Sequence, residues 1–158
     1  MVKYITFSLS IAFISWIAGM FITALLSKTD FYKHKLSNLN FIRNEKINGL
    51  IGIGPFKWLI MHSFFKYFNP KLSLRKHIAL SELGDYRSEM TKAELNHLFA
   101  FLFMAVFVLI KLSNGVYWFA LVMLLVNIMM NLYPSLLQQQ NKRRIDRYLK
   151  LLNRRKNA

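Results

Sequence analysis

The stretch from Leu98 to Leu137, LFAFLFMAVFVLIKLSNGVYWFALVMLLVNIMMNLYPSLL, decides how this chain folds. Its second part, Val116 to Leu137, holds no charged residue, and its first, Leu98 to Leu112, holds only Lys111, at its end. Between them Ser113-Asn114-Gly115 leaves room for a tight turn and little else. An apolar helix of about 20 residues matches the hydrocarbon thickness of a bilayer, so the stretch reads as an antiparallel hairpin of two spans. A further charge-free run, Ile5 to Leu26, supplies an N-terminal span. That run follows Lys3 and could be read as a cleaved leader. It is longer than a leader's apolar region, however, and no A-x-A site precedes Lys28, so an uncleaved span is expected.

The expected fold is therefore an all-α integral membrane protein of about three transmembrane helices, one N-terminal span plus a C-terminal hairpin, with an interfacial helix between them. The expected organisation is a single membrane domain over 1–158, with spans at about 5–26, 95–112 and 116–137, an interfacial and cytoplasmic region over 27–94 and a basic cytoplasmic tail over 138–158.

Charge supports this reading and sets an orientation. The 158 residues are 54% hydrophobic yet carry 22 Lys+Arg against 7 Asp+Glu, a formal charge of +15. A nucleic-acid binder shares such a charge, but its apolar residues are dispersed rather than gathered into blocks. Basic residues gather instead between the first and second spans and after the third, where topology places cytoplasmic segments. The N-terminus and the Ser113–Gly115 link then lie outside. With no cysteine, disulfides, thiolate metal sites and cysteine nucleophiles are excluded.

Within the central region, GLIGIGPFKWLIMHSFFKYFNP is apolar but punctuated by glycine and proline. Pro55 suits the first turn of a helix and Asn69-Pro70 its stop. Such a helix is too short to span; broken by Lys57, His62 and Lys66, it is expected to lie in the interface, either shaping a cavity for an amphiphile or simply anchoring the chain. Spacing gives no role to His62 or His77 and leaves residues 29–87 the least interpreted.

Polar groups at the mouth of the second span carry the chemistry. Thr91 and Glu94 fit the T-x-x-E capping box, in which they would only start a helix. His97 lies three residues beyond Glu94 on the same helical face, and a carboxylate beside an imidazole is competent as a general base. Asn127, Asn131, Ser135 and Gln138 recur at helical spacing on the third span. Buried amides of this kind hold either a neighbouring helix or a ligand, and for Asn127 and Asn131 helix packing is the preferred reading. Tyr133-Pro134 is expected to interrupt that helix and free carbonyls. Beyond it, QQQNKRRIDRYLKLLNRRK continues as a basic helix with Ile145, Tyr148, Leu151 and Leu152 on an apolar stripe. Anionic head groups are its default partner, and Arg143 and Arg144 are suited to a phosphate or an acidic carrier. No phosphate-binding loop, nucleophile elbow or H-E-x-x-H occurs, and no metal is expected.

The pattern A-E-x-x-H on Ala93, Glu94 and His97, followed by N-x6-Q-x-x-N-[KR]-x-R on Asn131, Gln138, Asn141, Lys142 and Arg144, resembles the glycosyl-4,4'-diaponeurosporenoate acyltransferase family of small bacterial membrane proteins. The resemblance covers roughly the C-terminal half. It implies transfer of a fatty acyl group onto a sugar hydroxyl of a glycosylated carotenoid acid or related glycolipid, in the bacterial cell (inner) membrane with the active side cytoplasmic. It implies no cofactor beyond an acyl-CoA or acyl-carrier protein donor. Glu94 and His97 become the expected catalytic residues, and Asn131, Gln138, Asn141 and Arg144 the expected substrate-binding ones. Membrane lipid, the glycolipid acceptor and the acyl donor are the expected partners, with no nucleic acid. Three spans enclose little on their own, so a homo-oligomer is compatible with the same reading. The competing reading is a non-catalytic membrane subunit or anchor whose basic tail binds anionic lipid or a partner protein.

Overall fold

The computed structural model describes residues 1–42, 44–63 and 82–156, and among them it is helical without strands. The helices are α1 (Val2–Leu26), α2 (Asp30–His34), α3 (Glu45–Leu50), α4 (Ile53–His62), α5 (Leu83–Ser113), α6 (Tyr117–Asn127) and α7 (Tyr133–Lys156), with a 3-10 turn at Leu36–Asn38. Among the described residues three helical stretches are long and apolar enough to cross a membrane: Val2–Leu26, Leu83–Ser113 and the run Tyr117–Arg155. The α5–α6 hairpin turns as its sequence demands. Gly115 adopts φ +71°, and the amides of Gly115 and Val116 bond back to the carbonyls of Leu112 and Lys111, each at 3.0 Å. Only glycine enters that backbone region without strain.

The chain divides into two compact units, Met1–Leu39 with Lys92–Ser135, and Asn40–Thr91 with Leu136–Ala158. In the first, α1 turns one face of small residues inward: Ser8, Ala12, Ser15, Gly19 and Thr23 are all buried. Spacings of three and four put them on one stripe, and small residues allow the backbones of membrane helices to approach closely. A Cβ on Gly19 would collide with the backbone carbonyl of Asn96. Toward the end of this bundle that holds the α5–α6 turn, Ile11, Ala12, Met104, Val108, Phe119, Ala120 and Met123 form the core. There the Lys111 ammonium lies 4.9 Å from the ring centroid of Phe119 and 5.6 Å from that of Phe7. Leu102, Val106, Leu109, Leu121 and Leu125 remain exposed, as expected of surfaces facing lipid.

In the second unit Leu83, Met90 and Ile145 pack with Tyr86, Leu149 and Leu152. The guanidinium of Arg87 donates to both oxygens of Asp146, tying α5 to α7. Pro55 stands in the first turn of α4, as its fixed φ favours. Ile53, Phe56 and Ile60 are buried while Trp58 and Leu59 are exposed.

Several expectations are corrected. The capping box at Thr91 and Glu94 does not form, because α5 has already run two turns by then; the Thr91 hydroxyl bonds instead to the Arg87 carbonyl at 2.9 Å. The helix that holds Pro55 in its first turn ends at His62, with Ser63 extended. Asn69-Pro70, Lys66 and His77 lie outside the described residues. Tyr133-Pro134 does not break its helix: a π turn at Ile128–Leu132 widens the backbone immediately before it, and α7 continues. The expected apolar stripe on the tail is split, with Ile145 packed inside and Tyr148 and Leu151 exposed.

Candidate functional site

In the first unit, α5 carries Glu94 and His97 on one face. Glu94 is fully buried, and its backbone carbonyl accepts a hydrogen bond from Ser135 Oγ at 3.0 Å. The His97 ring stands edge to face against Trp16 of α1, with centroids 6.0 Å apart and planes at 90°. Its Nδ1 is buried and has no hydrogen-bond partner. Glu94 therefore does not hold the ring through Nδ1. A buried polar atom without a partner is uncommon, and where it occurs it marks strain, catalysis or a missing ligand. Thr23 Oγ1, on the same small-residue face of α1, is also buried without a partner.

The amide stripe is largely consumed by the protein itself. Asn127 Nδ2 donates to the Phe101 carbonyl at 3.1 Å, and Asn131 Nδ2 to Asn127 Oδ1 at 2.8 Å and Ser15 Oγ at 3.3 Å. Asn131 Oδ1 accepts from Trp16 Nε1 at 2.8 Å. These bonds join α1, α5, α6 and the π turn, the helix-packing role preferred for both asparagines. Trp16 Nε1 also reaches the Met130 carbonyl at 3.3 Å. That carbonyl lies four residues before Pro134, which has no N–H to offer it. The carbonyl freed by Pro134 is thus taken by α1. Trp16 was not distinguishable in the sequence, where it is one aromatic residue in an apolar run.

In the second unit the residues of QQQNKRR are mostly buried although all are polar. Gln139 Oε1 accepts from the Ile42 amide at 3.0 Å, and Arg143 Nη1 donates to Asn40 Oδ1 at 3.1 Å. Lys142 is only 2% exposed. Gln138 Oε1 and both amide atoms of Asn141 are buried without partners. Arg144 is exposed, and it acts on Lys57 of α4, whose pKa is held below the usual lysine value first by burial and then by the Arg144 charge. His62, at the end of α4, is exposed, bonded to the Trp58 carbonyl at 2.8 Å and stacked on the Trp58 ring. Among the described residues no three His, Cys, Asp or Glu gather in a way that could hold a metal.

Of the expected site residues, Glu94, His97 and Asn131 thus fall in the first unit and Gln138, Asn141 and Arg144 in the second. Compared with known proteins, the chain matches no curated protein and no solved structure. A family model described as glycosyl-4,4'-diaponeurosporenoate acyltransferase matches residues 28–151, which include every expected site residue. By that match over most of its length, the chain belongs to the glycosyl-4,4'-diaponeurosporenoate acyltransferase family.

Proposed function

We propose that this protein transfers a fatty acyl group from a thioester donor to a sugar hydroxyl of a glycosylated carotenoid acid, with His97 as general base. Family membership supports an acyltransferase role in carotenoid biosynthesis and a glycosylated carotenoid acceptor in a membrane setting. The observation that carries the residue assignment is the unpartnered, buried Nδ1 of His97. His97 takes the proton of the acceptor hydroxyl as its oxygen attacks the thioester carbonyl. The C–S bond then breaks, and the departing thiolate recovers the proton from the imidazolium. Glu94, buried on the same face one turn earlier, offsets the positive charge that develops on the ring. General-base assistance of this kind contributes about 10²–10⁴-fold.

Gln138 and Asn141 are proposed to hold polar groups of a substrate, supported by their buried and unpartnered amide atoms. Arg144, near the partly buried cation Lys57, is proposed to receive a phosphate of an acyl-CoA or acyl-carrier protein donor. Asn131 is proposed as a structural contributor, since both ends of its amide already have protein partners. The active side is proposed to be cytoplasmic, on the basic-residue distribution.

The reaction is tested by mass spectrometry of lipids from cells that make the glycosylated carotenoid acid, with and without this protein. A fatty-acyl mass gain that depends on the protein supports the transferase. No gain, with the protein inserted in the membrane, would remove this acceptor and favour a non-catalytic subunit.

A further inference from the structure

The geometry points to Trp16, in the N-terminal helix, as the residue that positions the His97 ring. This rests on the reading of His97 as the base. Trp16 precedes residue 28, where the family match begins, so that match assigns it nothing.

Two features of the indole combine. Its N–H is shared between Asn131 Oδ1 and the Met130 carbonyl, so the ring is fixed to the π turn from α1. Its ring contacts His97 edge to face, the arrangement favoured by the quadrupoles of aromatic rings. With no hydrogen bond at His97 Nδ1, the orientation that a carboxylate or carbonyl usually imposes on a catalytic imidazole is missing at that atom. The Trp16 ring supplies a wall in its place, and Asn131 and the proline-freed carbonyl keep that wall from rotating. Gly19, one turn further along α1, sets the depth of the contact by bringing α1 onto the backbone of Asn96. The π turn acquires a purpose in the same scheme, since it carries Asn131 and precedes the proline that releases the Met130 carbonyl.

A positioning residue changes turnover rather than substrate affinity. The test uses full-length wild type, Trp16→Phe, Trp16→Leu and His97→Ala in lipid nanodiscs. Initial rates of acyl transfer are measured against varied acceptor and normalised to folded protein. Trp16→Leu removes both features and is expected to lower kcat about 10²-fold, with KM within about twofold, as misplacement of a reacting group by about 1 Å does. Trp16→Phe keeps an aromatic wall without its anchor and is expected to lower kcat about tenfold. If the leucine variant fails to insert, the phenylalanine variant carries the test. Wild-type kcat per folded molecule in the variants would overturn the proposal, because a purely structural tryptophan changes only the amount of folded protein. A raised KM at unchanged kcat would also overturn it, by making Trp16 a binding residue. Acyl transfer by His97→Ala at the wild-type rate would instead bring down the catalytic reading itself, which keeps the two failures apart.

Discussion

Gly19 of α1 packs directly on the backbone of Asn96 in α5, leaving no space for a Cβ. The obstructing atoms are main-chain atoms of a helix, which cannot turn aside as a flexible side chain can. Gly19→Ala is expected to destabilise the first unit by about 1–3 kcal/mol, the usual cost of overpacking. It is also expected to lower acyl transfer by shifting α1, and with it Trp16. Thermal unfolding in detergent, followed alongside activity, checks both; unchanged values would show that α1 moves freely on α5.

Asn131 links Trp16, Ser15 and Asn127 through one amide. Asn131→Ala leaves the indole N–H and the Asn127 oxygen without that partner, and about 1–2 kcal/mol of stability should be lost. Because Asn127 shares one of these bonds, the Asn127→Ala, Asn131→Ala double variant should lose less than the sum of the single losses. Strict additivity in thermal unfolding would mean that the bond between them contributes nothing.

In the second unit, the Arg87–Asp146 pair is partly exposed, with side chains 26% and 35% accessible. Its two-oxygen geometry places it at the upper end for such pairs, about 1 kcal/mol. Arg87→Ala and Asp146→Ala should each destabilise this unit. The exchanged pair Arg87→Asp with Asp146→Arg should recover part of the loss, and a double-mutant cycle on protease resistance measures the coupling.

Lys57 gives a dependence on pH. Burial and then Arg144 lower its pKa in the fold below the ordinary lysine value, so the unfolded chain binds this proton more firmly. Stability contributed by Lys57 therefore rises with pH between the lowered folded value and the ordinary lysine value. Lys57→Met should flatten that rise and stabilise the protein slightly at neutral pH. Unfolding temperatures compared at neutral and alkaline pH test this, and equal slopes for the two proteins would contradict it.

The spans and hairpin were legible in the sequence because membrane length and charge exclusion leave few alternatives, and Ser113-Asn114-Gly115 has only one economical fold. The start of α5 was not. Thr91 and Glu94 match a cap locally, but the helix is extended back to Leu83 by apolar packing on Ile145 and by the Arg87–Asp146 bond, both long-range. The behaviour of Pro134 escapes local sequence for a similar reason. Proline breaks a helix when its unmatched carbonyl stays unmatched, and here a tryptophan more than a hundred residues away supplies the missing donor. In the candidate site, Glu94 and His97 could be found from their spacing and the family resemblance. Trp16 and Gly19 could not, since what sets them apart is the contact α1 makes with α5 and the π turn.

The proposed role of His97 as the base is open to direct test. The most direct measurement is the rate of transfer of a radiolabelled acyl group from its thioester donor to glycosylated carotenoid acid, by wild type and His97→Ala at equal folded concentration in nanodiscs. A loss of about 10²-fold or more, with the variant folded, is the predicted result. Equal rates would exclude His97 as the base and leave its unpartnered Nδ1 without a catalytic role.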